Sequence, residues 1–114
     1  MSNIVEADRT NFHEEVKRAS TPVVVEFATD WCKFCTELEP VVEELADEYE
    51  GSVKVVRVDV EENGRLANEF HIADLPTFFG YFKGNSLKRK SGNLTADDVE
   101  EIFDYLVDLP LAAA

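Results

Sequence analysis

At 114 residues the chain fits a single domain, 1–114, that can bury about two thirds of its unfolded surface. Hydrophobic residues make up 45%, enough for a packed core, so a disordered chain is not expected. Asp plus Glu outnumber Lys plus Arg 24 to 11, and the net charge of −13 repels nucleic-acid phosphates and anionic lipid, which disfavours both as partners.

The opening segment MSNIVEADRT has neither a basic nor an apolar leader region, and no apolar run approaches the ~18 residues of a membrane span; a cytoplasmic protein is expected. NIVEA reads as a short strand, followed by a helix over 11–19 with Phe12, Val16 and Ala19 on one stripe. PVVVEFA, rich in valine and nearly unbroken, has the pattern of a central strand covered on both faces. From residue 32 to about 50 the period becomes helical: Leu38, Val41, Val42, Leu45 and Tyr49 recur on one side. Glu39, Glu43, Glu44, Asp47 and Glu50 form a solvated opposite face, and Pro40 should kink the helix. SVKVVRVDV is a second buried strand, and Asn63 is placed to cap a short helix carrying Leu66, Ala67 and Phe70. TFFGYFK and SLKRKS, joined around Gly84-Asn85, read as a hairpin. Its basic residues Lys83, Lys88, Arg89 and Lys90 fit edge-strand protection or a docking patch for an acidic partner. Thr95 with Asp98 resembles a capping box, with Leu94 stapling onto Val99 and with Val99, Ile102, Phe103 and Leu106 facing the core. LAAA at the end reads as a frayed tail. Strand–helix–strand alternation, then a hairpin and a helix, gives an α/β sandwich with a mixed sheet.

Both of the chain's cysteines fall in DWCKFC, where the central strand ends and the long helix begins. The first turn of a helix presents unpaired N–H groups and the positive end of the macrodipole, so a thiolate there is stabilised. Cys32 stands outermost and exposed; Cys35 lies one turn inside. Cys32 can therefore attack a partner's disulfide while Cys35 resolves the mixed intermediate, with Lys33 adding positive charge beside the first thiolate. Two other readings compete, a zinc half-site and an incidental buried pair. Zinc needs four ligands, and the available nitrogens, His13 and His71, lack the usual spacing; no metal and no cofactor are expected.

VVVEFATDWCKFC, Pro40, DLPT, Gly84 and Gly92 together resemble the thioredoxin family, from about residue 23 to 92 and more loosely over the flanking helices. The resemblance implies a thioredoxin-like fold, a central mixed sheet of about five strands flanked by about four helices on both faces. It also implies a protein-disulfide reductase acting through a reversible Cys32–Cys35 pair, and a monomer is expected. Its substrates would be protein disulfides, and a thioredoxin reductase or equivalent electron donor would recycle it. By the same match Trp31 shields the disulfide and Pro76 is cis, and the Leu75 backbone could pair with an extended substrate beside Cys32.

Several positions depart from the family. Lys33 and Phe34 stand where Gly-Pro is usual and tune redox poise. His71 and Asp74 replace glycines of the loop before the proline, and Asp30, Glu37 and Asp74 would surround Cys32 with negative charge. Gly80 has no evident reason beyond admitting a large neighbour. Glu26, where thioredoxins usually carry aspartate, alternates with Val24 and Ala28 and should be buried behind Cys35. A buried carboxyl holds its proton and could shuttle it to and from Cys35. Arg57 on the adjacent strand is placed for an ion pair with Glu26; the plainer alternative is a partly solvated glutamate. Glu26 and the missing Gly-Pro keep an oxidant or isomerase reading open, and a docking module that retains only the fold is a third.

Overall fold

The computed structural model describes residues 3–110, so the expected tail at 111–114 lies outside the described residues. The chain runs β1 (Ile4–Ala7), a helical turn at His13–Lys17, β2 (Val23–Ala28), α1 (Lys33–Glu48), β3 (Lys54–Asp59), α2 (Gly64–Glu69), β4 (Thr77–Phe82), β5 (Asn85–Ser91) and α3 (Ala96–Val107). The strands make one mixed sheet in the order β1-β3-β2-β4-β5. β1, β3 and β2 are parallel, β4 is antiparallel to β2, and β5 to β4. All six residues of β2 are buried, as a strand covered on both faces requires.

Alternation along β2 divides the core. Val23, Val25 and Phe27 point to a layer with Phe12, Val16, Leu66 and Ala67, beneath the first helical turn and α2. Val24 points the other way, against Leu38, Val42 and Leu45 of α1 and Val99, Ile102, Phe103 and Leu106 of α3. These are the helical stripes expected from the sequence. Pro40 sits inside α1 without ending it. The Thr95–Asp98 capping box is formed in both directions, and Leu94 packs against the layer that holds Val99. Among the described residues no helix is long and apolar enough to cross a membrane.

Three local expectations are corrected. The helix expected over 11–19 contracts to one wide turn, in which the Arg18 N–H reaches the His13 carbonyl; Ser20, Thr21 and Pro22 then lead into β2. Asn63 begins α2 without capping it. Its side chain instead donates to the Asp59 carbonyl and accepts from the Arg9 N–H, tying α2 to the ends of β3 and β1. The hairpin turns one residue earlier than expected. Lys83 and Gly84, with φ of 52° and 86°, are its central residues, and Asn85 already pairs with Phe82. The basic hairpin residues are partly occupied, since Arg89 donates to the Phe70 and His71 carbonyls and Lys90 pairs with Asp98 and Glu101.

Gly80 has a reason that lies outside its own strand. A Cβ there would fall 2.7 Å from Leu106 Cδ2, so the absence of a side chain at position 80 lets Leu106 of α3 pack where it does against β4, and a methyl would force Leu106 to shift.

Candidate active site

The site begins where β2 delivers the chain into α1. Cys32 is extended, with φ −81° and ψ 116°, and caps the helix: its Sγ accepts a hydrogen bond from the Cys35 N–H at 3.2 Å. Cys35 follows one turn later, and the two are joined as a disulfide with Cα atoms 5.2 Å apart. Cys32 was expected to be exposed. It is 7% exposed against 1% for Cys35, because both sulfurs pack with Ala28 at the end of β2 and with Leu75 from the opposite loop. The ordering of the pair holds, but access to Cys32 is narrow. The α1 entry carries no acidic residue in its first turn, so nothing there cancels the positive helix end.

Around the disulfide lies an apolar rim. Trp31 is 71% exposed and Phe34 40%, unusual for rings of this size. The Trp31 indole N–H donates to Glu61, which fixes the ring's orientation. Facing this rim, the Leu75–Pro76 bond is cis. The Pro76 carbonyl accepts from the Gly92 N–H and the Asp74 carbonyl from the Thr77 hydroxyl. The Leu75 N–H and carbonyl make no hydrogen bond among the described residues. An unpaired backbone unit packed beside the Cys32–Cys35 disulfide is a place where an extended chain can add itself. Asp30, Glu37 and Asp74 are all exposed at the ends of the elements that carry the disulfide.

Beneath the disulfide, Glu26 occupies β2 between Val24, in the α1–α3 layer, and Ala28, in contact with the cysteines. It is 3% exposed, so the partly solvated alternative falls. Burial pushes its carboxyl up to about 7; Arg57 pulls it down, and Glu39 and Glu6 push it up again. The parallel register sets Glu6, Arg57 and Glu26 in one row across β1, β3 and β2. The row opens on a cavity of about 250 Å³ that is also lined by Glu39 and Glu43 of α1. The expected Glu26–Arg57 ion pair is absent. Arg57 instead places Nη1 3.7 Å from Glu39 and Nη2 3.9 Å from Asp30. Charge balance explains the difference, because an ionised Glu26 would have to give up its solvation, whereas Asp30 and Glu39 keep theirs.

Comparison with known proteins agrees with this geometry. The family model described as Thioredoxin matches residues 3–105. The chain is 39% identical to thioredoxin 1 of a Nostoc species over 74% of its own length and 78% of the relative's. It is 36% identical to thioredoxin C-2 of Corynebacterium nephridii, over 80% and 84%. A probable thioredoxin-2 of Caenorhabditis elegans is 34% identical over 87% of this chain and 66% of that protein. The chain belongs to the thioredoxin family.

Within this thioredoxin-family chain, the sequence-predicted residues Trp31, Cys32, Lys33, Phe34, Cys35, Leu75 and Pro76 gather at one end of the central strands, and Glu26 and Arg57 lie on the strands beneath. Asp74 stays at the loop surface. His71 takes the left-handed conformation, with φ 55°, which accounts for the glycine usual there. The two cysteine sulfurs bond each other, and among the described residues no group of three or more His, Cys, Asp or Glu is placed to hold a metal ion. Glu61, Glu39 and Glu6 were not singled out from the sequence. A signal for Glu61 existed, since the pairing of β2 with β3 brings the loops after both strands to the same edge. A second cavity, about 490 Å³ between Asp8–Thr10 and Glu62–Leu66, contains none of the predicted site residues.

Proposed function

We propose that the protein reduces protein disulfides. The Cys32 thiolate attacks one sulfur of a substrate disulfide, forming a Cys32–substrate disulfide and releasing the other substrate sulfur as a thiolate. Cys35 then attacks Cys32 Sγ, closing the Cys32–Cys35 disulfide and releasing the second substrate thiolate; two electrons have passed to the substrate. The observation that carries this reading is the placement of Cys32 at the α1 cap, more accessible than Cys35, beside the unpaired backbone of Leu75. Trp31, Leu75 and Pro76 would form the face on which the substrate chain lies. Glu26 would take the Cys35 proton as that sulfur becomes a nucleophile and return it in the next cycle. Lys33, Phe34, Arg57 and Asp74 would tune the couple and its choice of substrate. A thioredoxin reductase or equivalent electron donor would restore the dithiol.

Cys32→Ser should abolish reduction of a test disulfide such as insulin's. Cys35→Ser should accumulate a covalent mixed disulfide with it. Normal turnover by Cys35→Ser would overturn the two-thiol mechanism.

A second reading, a protein-disulfide oxidant or isomerase, is favoured by Lys33 and the exposed Phe34 between the cysteines. Either would stabilise the reduced dithiol relative to a Gly-Pro site and raise the reduction potential. Equilibration with a glutathione buffer decides between the two, since ~30 mV corresponds to ~1.4 kcal/mol in this couple. A docking module without redox chemistry is disfavoured by the intact Cys32–Cys35 pair.

A further inference from the structure

Among the described residues Arg57 is the one cationic side chain lining the cavity that Glu26 also lines, and its surroundings hold more carboxylates than it can neutralise. Glu26 is 3% exposed and its carboxyl makes no hydrogen bond or ion pair among the described residues, yet it lines the same cavity. A guanidinium engages carboxylates through a planar fork whose two terminal nitrogens act together. Here each terminal nitrogen faces a different acid, Nη1 toward Glu39 and Nη2 toward Asp30. Alongside them the guanidinium forms no ion pair with Glu26, its neighbour in the sheet register, although it remains near enough to act on that carboxyl through its charge. Of the two acids, Asp30 has a side chain 95% exposed and Glu39 one 48% exposed, so water screens Asp30 more and Glu39 holds the guanidinium more firmly.

We propose that Glu39 is a positioning residue for disulfide exchange: it engages Arg57 within the cavity that both line with Glu26, which leaves the Glu26 carboxyl unpaired and able to keep or release a proton. This rests on the reading of Glu26 as the proton shuttle for Cys35. The charged groups on each side of Glu26 are accounted for. Arg57 comes from β3, Glu6 from β1, Glu39 and Glu43 from α1, and Asp30 and Asp59 from the strand ends; Phe78 on β4 and the α3 residues of this layer are uncharged. Glu39 also acts directly through its own charge, in the same direction. The two contributions are separable, because only the positioning one requires Arg57.

The test is a carboxyl carbon-13 NMR titration of the oxidised protein, with the Glu26 signal assigned by its loss in Glu26→Gln. Glu39→Gln should free Arg57 to swing inward and lower the Glu26 midpoint by about one pH unit or more, the effect of a new opposite charge at contact. In an Arg57→Gln background the same substitution should move the midpoint less than half as far. An unmoved midpoint, or equal movements in the two backgrounds, overturns the positioning. The rate at which the mixed disulfide is resolved is then followed against pH in wild type and Glu39→Gln. If the midpoint falls and the rate profile does not follow, Glu39 still positions Arg57, and the shuttle role of Glu26 is what fails.

Discussion

Replacing Glu26 with Gln isolates what a buried carboxyl contributes to stability. Burial raises the Glu26 pKa from its ordinary 4.5 to about 7 in the folded protein. Between those values the native state binds the proton that the unfolded chain has already lost, so stability falls as pH rises. Below the unfolded value the residue contributes nothing unfavourable, and above about 7 the whole penalty is present. At ~1.36 kcal/mol per pH unit, the penalty is on the order of 3 kcal/mol at pH 8. Gln is nearly isosteric with protonated Glu and carries no charge to desolvate. In urea unfolding of the oxidised proteins, where the cysteines do not titrate, Glu26→Gln should unfold later than wild type at pH 8. With a denaturant slope of ~1–3 kcal/mol per molar, the midpoint should rise by about 1–3 M. At pH 4 the two should nearly coincide, apart from the cost of an amide that lacks a partner. A stability difference that stays constant from pH 4 to pH 8 would refute the reasoning, and so would a mutant destabilised at pH 8. The second outcome would mean that Arg57 pairs with ionised Glu26 in solution, making the charge favourable above its unfolded pKa.

Three further changes probe other parts of the molecule. Phe34→Pro removes an N–H from the first turn of α1, one of the donors that favour a Cys32 thiolate, and restricts relaxation of the reduced dithiol. The couple should become more reducing by some ~30 mV in glutathione equilibration, and an unchanged or less reducing couple contradicts this. Gly80→Ala drives a methyl to 2.7 Å from Leu106 Cδ2 and should cost about 1–3 kcal/mol by chemical denaturation. If the clash is the cause, Gly80→Ala should cost much less in a Leu106→Ala background. Asp74→Gly should narrow the rate difference between a basic and an acidic disulfide peptide at low ionic strength, a difference that should also fade in ~1 M salt. Equal rates for the two peptides with the wild-type protein at low salt would mean that Asp30, Glu37 and Asp74 take no part in selection.

Patterns that repeat along the chain carried the architecture. The valine run of β2, the stripe of Leu38, Val42 and Leu45, and the Thr95–Asp98 box are local regularities. Each states which face is buried or where a helix starts, and the sheet order follows from few remaining choices. The position of the cysteines at a strand-to-helix junction was equally local, and Pro76 was marked by resemblance. Partners across the fold were not legible. Periodicity assigns a residue to a face but not to a neighbour, so Glu39 read as one more solvated acid on α1 although it meets Arg57, eighteen residues later on β3. Arg89 read as edge protection, with no sign that it also satisfies the carbonyls at the end of α2, and Gly80 read as room for a large neighbour, with no sign that the neighbour is Leu106 of α3. The Glu26–Arg57 pair, inferred from adjacency in the sheet, was the natural expectation for two opposite charges in register. Only the tertiary structure decided otherwise, because a guanidinium with several acids in reach settles on those that can stay hydrated while they bind it.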